Sequence, residues 1–219
     1  MSRHTERSTY GTLDHEYVAK LRATTVDQDA PFLMLNLMRY RDVADYPPGH
    51  PDAGSGRSGR EADDLYAPVA ILHDLGAEIL FFGDVADQLA GETPWDRVAV
   101  VGYPSVRSFI DMQDRPDFLE RHVHKEAGML ETIIAVARPI SGSVAGASRV
   151  LVELLGPDAR PVPGPGRLVL AVDGTPVGDG RTWSTVVVTA LPDDAPAVAS
   201  TRVTSAAALL VEPLVQELP

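Results

Sequence analysis

Apolar and polar positions recur with two different periods along this 219-residue chain, and the changes of period mark its elements. Asp14 stands where a helix cap is needed, and Tyr17, Val18 and Leu21 follow at helical spacing. Asp29-Ala30-Pro31 reads as a turn into Phe32 to Tyr40, a short and strongly apolar run that predicts a strand. From Asp45 to Arg60 the chain carries Pro47, Pro48, Gly49, Pro51, Gly54, Gly56 and Gly59, the composition of a long loop. A helix is expected from Glu61 to Leu75, ended by Gly76 and kinked at Pro68. Glu78 to Val85 and Asp96 to Tyr103 read as two strands. Ser105 caps a helix whose Phe109 and Met112 face inward, Pro116 restarts it, and Thr132 to Arg138 is a further strand. The order is strand, helix, strand, strand, helix, strand, the βαββαβ pattern of a ferredoxin-like unit, preceded by one extra helix.

Beyond a linker at 141–148, rich in Gly, Ser and Ala, the second half echoes the first. Val150 to Leu155, Arg167 to Asp173 and Thr185 to Leu191 read as strands. Trp183 stands nine residues before Pro192, as Trp95 stands nine before Pro104. This pattern predicts an N-terminal extension over 1–30 with one helix, a ferredoxin-like domain over 31–140, and a degenerate second ferredoxin-like repeat over 149–219.

Composition narrows the partners. Acidic residues outnumber basic ones, 31 to 19, giving a formal charge of −12. Only Lys20 and Lys125 are lysines, and no basic run exists, so a nucleic-acid partner is not expected. Without cysteine, disulfides, thiolate nucleophiles and cysteine-ligated metals are excluded. No apolar run approaches the about 20 residues that span a bilayer, and no signal-peptide pattern opens the sequence, so a cytoplasmic protein is expected. A phosphate loop, a dinucleotide fingerprint and a Gly-x-Ser-x-Gly elbow are all missing. No set of residues has a recognised metal-ligand spacing, and neither a cofactor nor a metal is expected.

Several segments together resemble one family. They are Pro31 to Tyr40, Ser58-Gly-Arg-Glu-Ala with Tyr66, and Leu75-Gly-Ala-Glu-Ile-Leu, followed by Trp95-Asp-Arg-Val, Tyr103-Pro-Ser, His124-Lys-Glu-Ala-Gly and Glu131-Thr. In that order, over roughly residues 12–138, they resemble the dimeric α/β-barrel superfamily, in a branch of small proteins of mostly unknown function. The resemblance implies an α+β fold: a four-stranded antiparallel sheet with helices on one face, two such sheets enclosing a cavity. The second sheet would come from a second chain, as a homodimer, or from the second half of this chain, as a pseudo-dimeric monomer. The superfamily holds cofactor-free monooxygenases, polyketide cyclases, lactone isomerases and haem-using enzymes, so the fold alone selects no chemistry.

Strand alternation then offers candidates. If Leu33, Leu35 and Leu37 pack against helices, Met34, Asn36, Met38 and Tyr40 face the cavity, with Asn36 as a lone amide able to stabilise an oxyanion. His122 and His124 are candidate proton carriers, of which a regular helix turns at most one inward. Asp96, at the start of its strand, is a candidate acid or base if apolar walls raise its pKa. Arg39, Tyr66, His73, Trp95 and Tyr103 complete the candidate binding residues. The expected function is a cofactor-independent small-molecule enzyme of isomerase, cyclase or lyase type, moving a proton on an apolar, polyketide-like substrate in the barrel cavity. A cofactor-free monooxygenase and a non-enzymatic ligand-binding or assembly module are the alternatives.

Overall fold

A computed structural model describes residues 10–161, 163–192 and 207–218. Its order is β1 (Thr12–Leu13), α1 (His15–Arg22), β2 (Phe32–Tyr40), α2 (Gly59–Tyr66), α3 (Val69–Asp74), β3 (Glu78–Ala90), β4 (Arg97–Tyr103), α4 (Val106–Gln113), α5 (Pro116–Gly128) and β5 (Met129–Gly142). Four strands follow: β6 (Arg149–Leu155), β7 (Arg167–Gly178), β8 (Thr185–Leu191) and β9 (Ala207–Gln216).

The strands form one sheet in the order β1-β7-β5-β2-β4-β3-β9-β6-β8, and β8 pairs back onto β7. Eight antiparallel strands therefore close a barrel within a single chain, with β1 as a short addition beside β7. This corrects the expected ferredoxin-like α/β barrel with a second repeat. The strands after Gly142 build no second βαββαβ unit, and among the described residues they carry no helix. Instead β7 pairs with β5, while β9 slots between β3 and β6. β9 had no counterpart in the sequence reading, and β3, β5 and β7 all run beyond their expected ends.

Alternate residues of all eight strands meet in one apolar cluster, which is the lumen. It takes Leu33, Leu35 and Leu37 from β2, Val98 and Val100 from β4, Val150, Val152 and Leu154 from β6, and Ala207, Leu209 and Val211 from β9, among others. An eight-stranded barrel is about wide enough for side chains to fill it. The leucine face of β2 thus points into the barrel, opposite to the expectation. Phe32 and Met34 lie on the outer face, packed beneath helices with Leu21, Ile71, Leu72, Val106, Met112 and Phe118. Phe32 through Met38 are all buried, so both faces of β2 are covered, and the one polar residue of that run, Asn36, lies on the outer face rather than marking a cavity.

Local signals fix the helices. Pro68 separates α2 from α3, and the Ser105 hydroxyl accepts the Ser108 N–H at 3.0 Å to start α4. Ser58 and Glu61 form a reciprocal capping box at the start of α2. The helices α2 and α5 cross at two glycines: a Cβ built on Gly59 would lie 2.3 Å from the Gly128 carbonyl oxygen.

Candidate functional site

The crossing of α2 and α5 presses a group of charged side chains onto the outer face of the sheet. Asp63 and Lys125 come from the two helices, Tyr40 from the end of β2, and Arg97 from the start of β4. Asp63, Arg97 and Lys125 are all buried. The Tyr40 hydroxyl donates to Asp63 Oδ2 at 2.6 Å. Arg97 donates through Nε to Asp84 at 2.8 Å and through Nη1 to Asp64 at 3.0 Å, and Nη1 lies 3.9 Å from Asp63. Its guanidinium rests 4.5 Å over the Phe82 ring, a flat cation on a flat apolar surface.

Lys125 is the exception in this network. Among the described residues its Nζ has no hydrogen bond and no carboxylate within 4.0 Å, and it sits 5.1 Å over the Tyr66 ring. Burial pulls its pKa down, against the attraction of Asp63. Burial pushes the Asp63 carboxyl up, against the opposing pull of Lys125, Tyr40 and Arg97. The two shifts run toward each other, which narrows the gap in proton affinity between this acid and this base. Burial and the neighbouring Asp63 raise the Tyr40 phenol far above its ordinary value, which keeps it a donor. Burial also opposes the charge on Arg97, but Tyr40, Asp84 and Asp64 more than offset it and hold the guanidinium protonated.

Beside this cluster runs an open groove of about 700 Å³, lined by Arg39, Tyr40, Arg41, the 42–45 segment and Asp96, together with Pro94 and Leu130. Tyr40 is common to the groove and the cluster. Arg41 Nε is buried and has no hydrogen-bond partner among the described residues. Asp96, an expected acid or base, uses Oδ2 to accept the Tyr40 backbone N–H at 2.7 Å. Arg39 reaches Glu131 at 3.7 Å.

The other expected site residues are dispersed. Asn36 is buried, and its Nδ2 donates to the Met34 carbonyl at 3.2 Å on the helix-covered face, not in a cavity. Met34 packs under the helices, and Met38 packs with Tyr10 and Met129. Tyr103 stacks on Phe32 at 5.2 Å. Trp95 packs into the apolar cluster of the lumen, and its backbone N–H donates to Gln88 Oε1 at 3.2 Å. His73, a candidate binding residue, is exposed at the end of α3. His122 Nε2 meets the Tyr10 hydroxyl at 3.1 Å, and its Nδ1 lies 3.6 Å from Glu126.

His124 projects elsewhere, toward the 43–58 loop. Its Nδ1 bonds the Tyr46 hydroxyl at 2.8 Å, and burial pulls its pKa down. Ligand atoms of His50, Asp52 and His124 lie within 4.8 Å of one another, the one group of this kind among the described residues that could hold a metal ion. The sequence pattern singled out none of His50, Asp52, Asp63 and Lys125 as site residues. The one signal for Lys125 is economy: the chain spends 17 of its 19 basic residues as arginine, and one of its two lysines stands here.

Structural comparison places the chain beside the RPA0582 protein of Rhodopseudomonas palustris, a protein of unknown function. The two are 28% identical with a TM-score of 0.51, over 60% of this chain and 98% of that one. Methylated RPA0582 gives the same identity and a TM-score of 0.52, over 62% and 98%. The likeness thus takes in nearly the whole of the smaller protein and leaves more than a third of this chain outside it. No protein-family model and no curated protein matches the chain.

Proposed function

We propose that the protein is a small-molecule enzyme that works by proton transfer, of isomerase, cyclase or lyase type, with its acid and base outside the barrel lumen. The observation that carries this reading is the buried Lys125 amine, without an ion pair among the described residues, near a buried carboxyl whose proton affinity is raised toward its own. A carbon acid whose proton lies near the amine would lose it to neutral Lys125. Asp63, protonated or holding the Tyr40 hydroxyl as donor, would supply the matching acid. The apolar filling of the lumen moves the expected substrate out of the barrel and into the groove beside Tyr40. There, Arg39 and Arg41 suit a substrate carrying an anionic group.

Solvent exchange tests this without knowing the substrate. The purified full-length protein is incubated in deuterium oxide with a small-molecule extract, and the extract is scanned by mass spectrometry. Proton-transfer enzymes exchange the reacting hydrogen even where no net turnover accumulates. Deuterium uptake into one compound, lost with Lys125→Met and with Asp63→Asn, is the expected result. Uptake that persists in Lys125→Met, or no labelled compound with the wild type, overturns the reading.

A further inference from the structure

Residues 42–45 line the groove of that proton-transfer reading, but the rest of the loop, 46–58, does not, and it has an order of its own. It is tied down at both sides by backbone bonds: Asp45 N–H to the Ala127 carbonyl at 2.9 Å, and Ala44 N–H to the Arg57 carbonyl at 2.8 Å. These bonds hold Tyr46, buried against Ala62 and Ala127, at the foot of the loop. The His50 ring stacks on Tyr46 at 4.7 Å and 9° between planes, and it meets His124 edge-on at 5.6 Å. Two imidazoles and one carboxylate from two different elements are thereby gathered at one spot.

We infer that His50, Asp52 and His124 form a binding site for a divalent transition-metal ion of the zinc and iron(II) class. Two histidines and one carboxylate are a set these ions favour, and three protein ligands leave positions open for water or another molecule. The supporting shell is in place. Arg57 Nη2 holds Asp52 Oδ1 at 3.0 Å, which leaves Oδ2 turned toward His50 Nδ1 at 3.9 Å. Tyr46 occupies Nδ1 of His124, so Nε2 is the nitrogen left for an ion, and the hydroxyl fixes the ring's orientation. Ligand atoms on one tetrahedral ion stand about 3.3 Å apart, so a cluster within 4.8 Å closes by at most about 1.5 Å, within the reach of side-chain rotation. The weak contact of the Asp52 N–H with His50 Nδ1, at 3.2 Å, is the bond that closure gives up. The excess of acidic residues favours cation capture.

The test uses the full-length chain without an affinity tag, stripped of metal by a chelator. Co²⁺ is titrated in with visible absorbance as the readout, and Zn²⁺ with calorimetry. One ion per chain is expected, together with a higher melting temperature in the loaded protein. His50→Ala, Asp52→Asn and His124→Ala should each weaken binding by about 100-fold or more. Tyr46→Phe keeps the ring and removes only the orienting hydroxyl, so it should cost about 10- to 100-fold. His15→Ala, on α1, should bind as wild type. If His124→Ala fails to fold, the loop variant His50→Ala decides alone. Failure of both ions to bind, or undiminished binding in His50→Ala, overturns the inference. Loss of metal binding with deuterium exchange intact would leave the Lys125 reading standing, since the two rest on different residues.

Discussion

Replacing Gly59 by alanine puts a single methyl group where the α2–α5 crossing has no room. The new Cβ would stand 2.3 Å from the Gly128 carbonyl oxygen, 2.6 Å from the Arg41 oxygen and 2.7 Å from the Arg41 nitrogen. All three are backbone atoms, so no side-chain rotation relieves the overlap, and α2 must back away by about 1 Å to restore ordinary contact. That movement also stretches two bonds, Gly59 N–H to the Arg41 carbonyl at 3.0 Å and Arg41 N–H to the Gly128 carbonyl at 2.9 Å. Overpacking of this kind costs about 1–3 kcal/mol, and weakening the two hydrogen bonds adds about 1. The total is about 3 kcal/mol, which for a chain of this size lowers the melting temperature by about 6–12 °C. Thermal unfolding followed by circular dichroism measures it. Gly156→Ala is the control: a Cβ there meets nothing within 4 Å, so it should be neutral or stabilising by about 0.4–1 kcal/mol. A Gly59→Ala protein melting within 2 °C of wild type (about 2 °C is under 1 kcal/mol here) would show that α2 and α5 are not held at this contact.

Lys125 has a direct spectroscopic readout: with lysine carrying ¹³C at Cε, the protein gives two signals, and Lys125→Met assigns them. Burial should bring the Lys125 signal to titrate below the ordinary lysine value, which is about 10.4. With the folded value below the unfolded one, the unfolded chain binds more protons between the two, so stability rises with pH across that window. The slope should be missing in Lys125→Met, and a Lys125 midpoint at or above the ordinary lysine value would refute the burial argument. Arg97→Met should cost about 3 kcal/mol in chemical denaturation, the low end for a broken buried ion pair, because Asp64 and Asp84 are open enough to rehydrate. An unchanged midpoint would mean the guanidinium network contributes nothing net. Leu35→Ala removes a side chain 1% exposed in the lumen and should cost about 2–5 kcal/mol, whereas Leu119→Ala, 50% exposed on α5, should cost well under 1. Equal effects at the two positions would contradict the packed lumen.

What could be read in the sequence is what short-range chemistry decides. The Pro68 break, the Ser105 cap and the Pro116 restart each depend on atoms within a few residues, and each stands where the pattern put it. The facing of β2 was inverted because Phe32, Met34 and Met38 are as apolar as Leu33, Leu35 and Leu37, and only the other seven strands decide which set enters the lumen. Two dimeric halves were expected because the first half suffices for a βαββαβ reading. The pairing of β3 with β9 joins residues more than a hundred positions apart, and nothing local announces it. The site was hidden for a related reason. Asp63 and Lys125 sit on helices with many charged neighbours, where the ordinary reading of a charge is a solvated face, and only the glycine crossing turns them inward. His50 and Asp52 lie in a loop whose path depends on contacts with α5.

The insertion of β9 between β3 and β6 sets an order of events during synthesis. While the ribosome is still making the chain, β2 to β5 and their helices can assemble, but β3 then ends in an unpaired edge and the leucine face of β2 lies open. Neither is covered until β6 to β9 have emerged. Contacts this distant in sequence carry a large loop-closure cost before they repay it, which slows folding relative to a domain built from local pairs. Until those strands pair, whatever the first half has formed exposes an apolar face and an open strand edge, the two features that make a partly folded chain prone to aggregate.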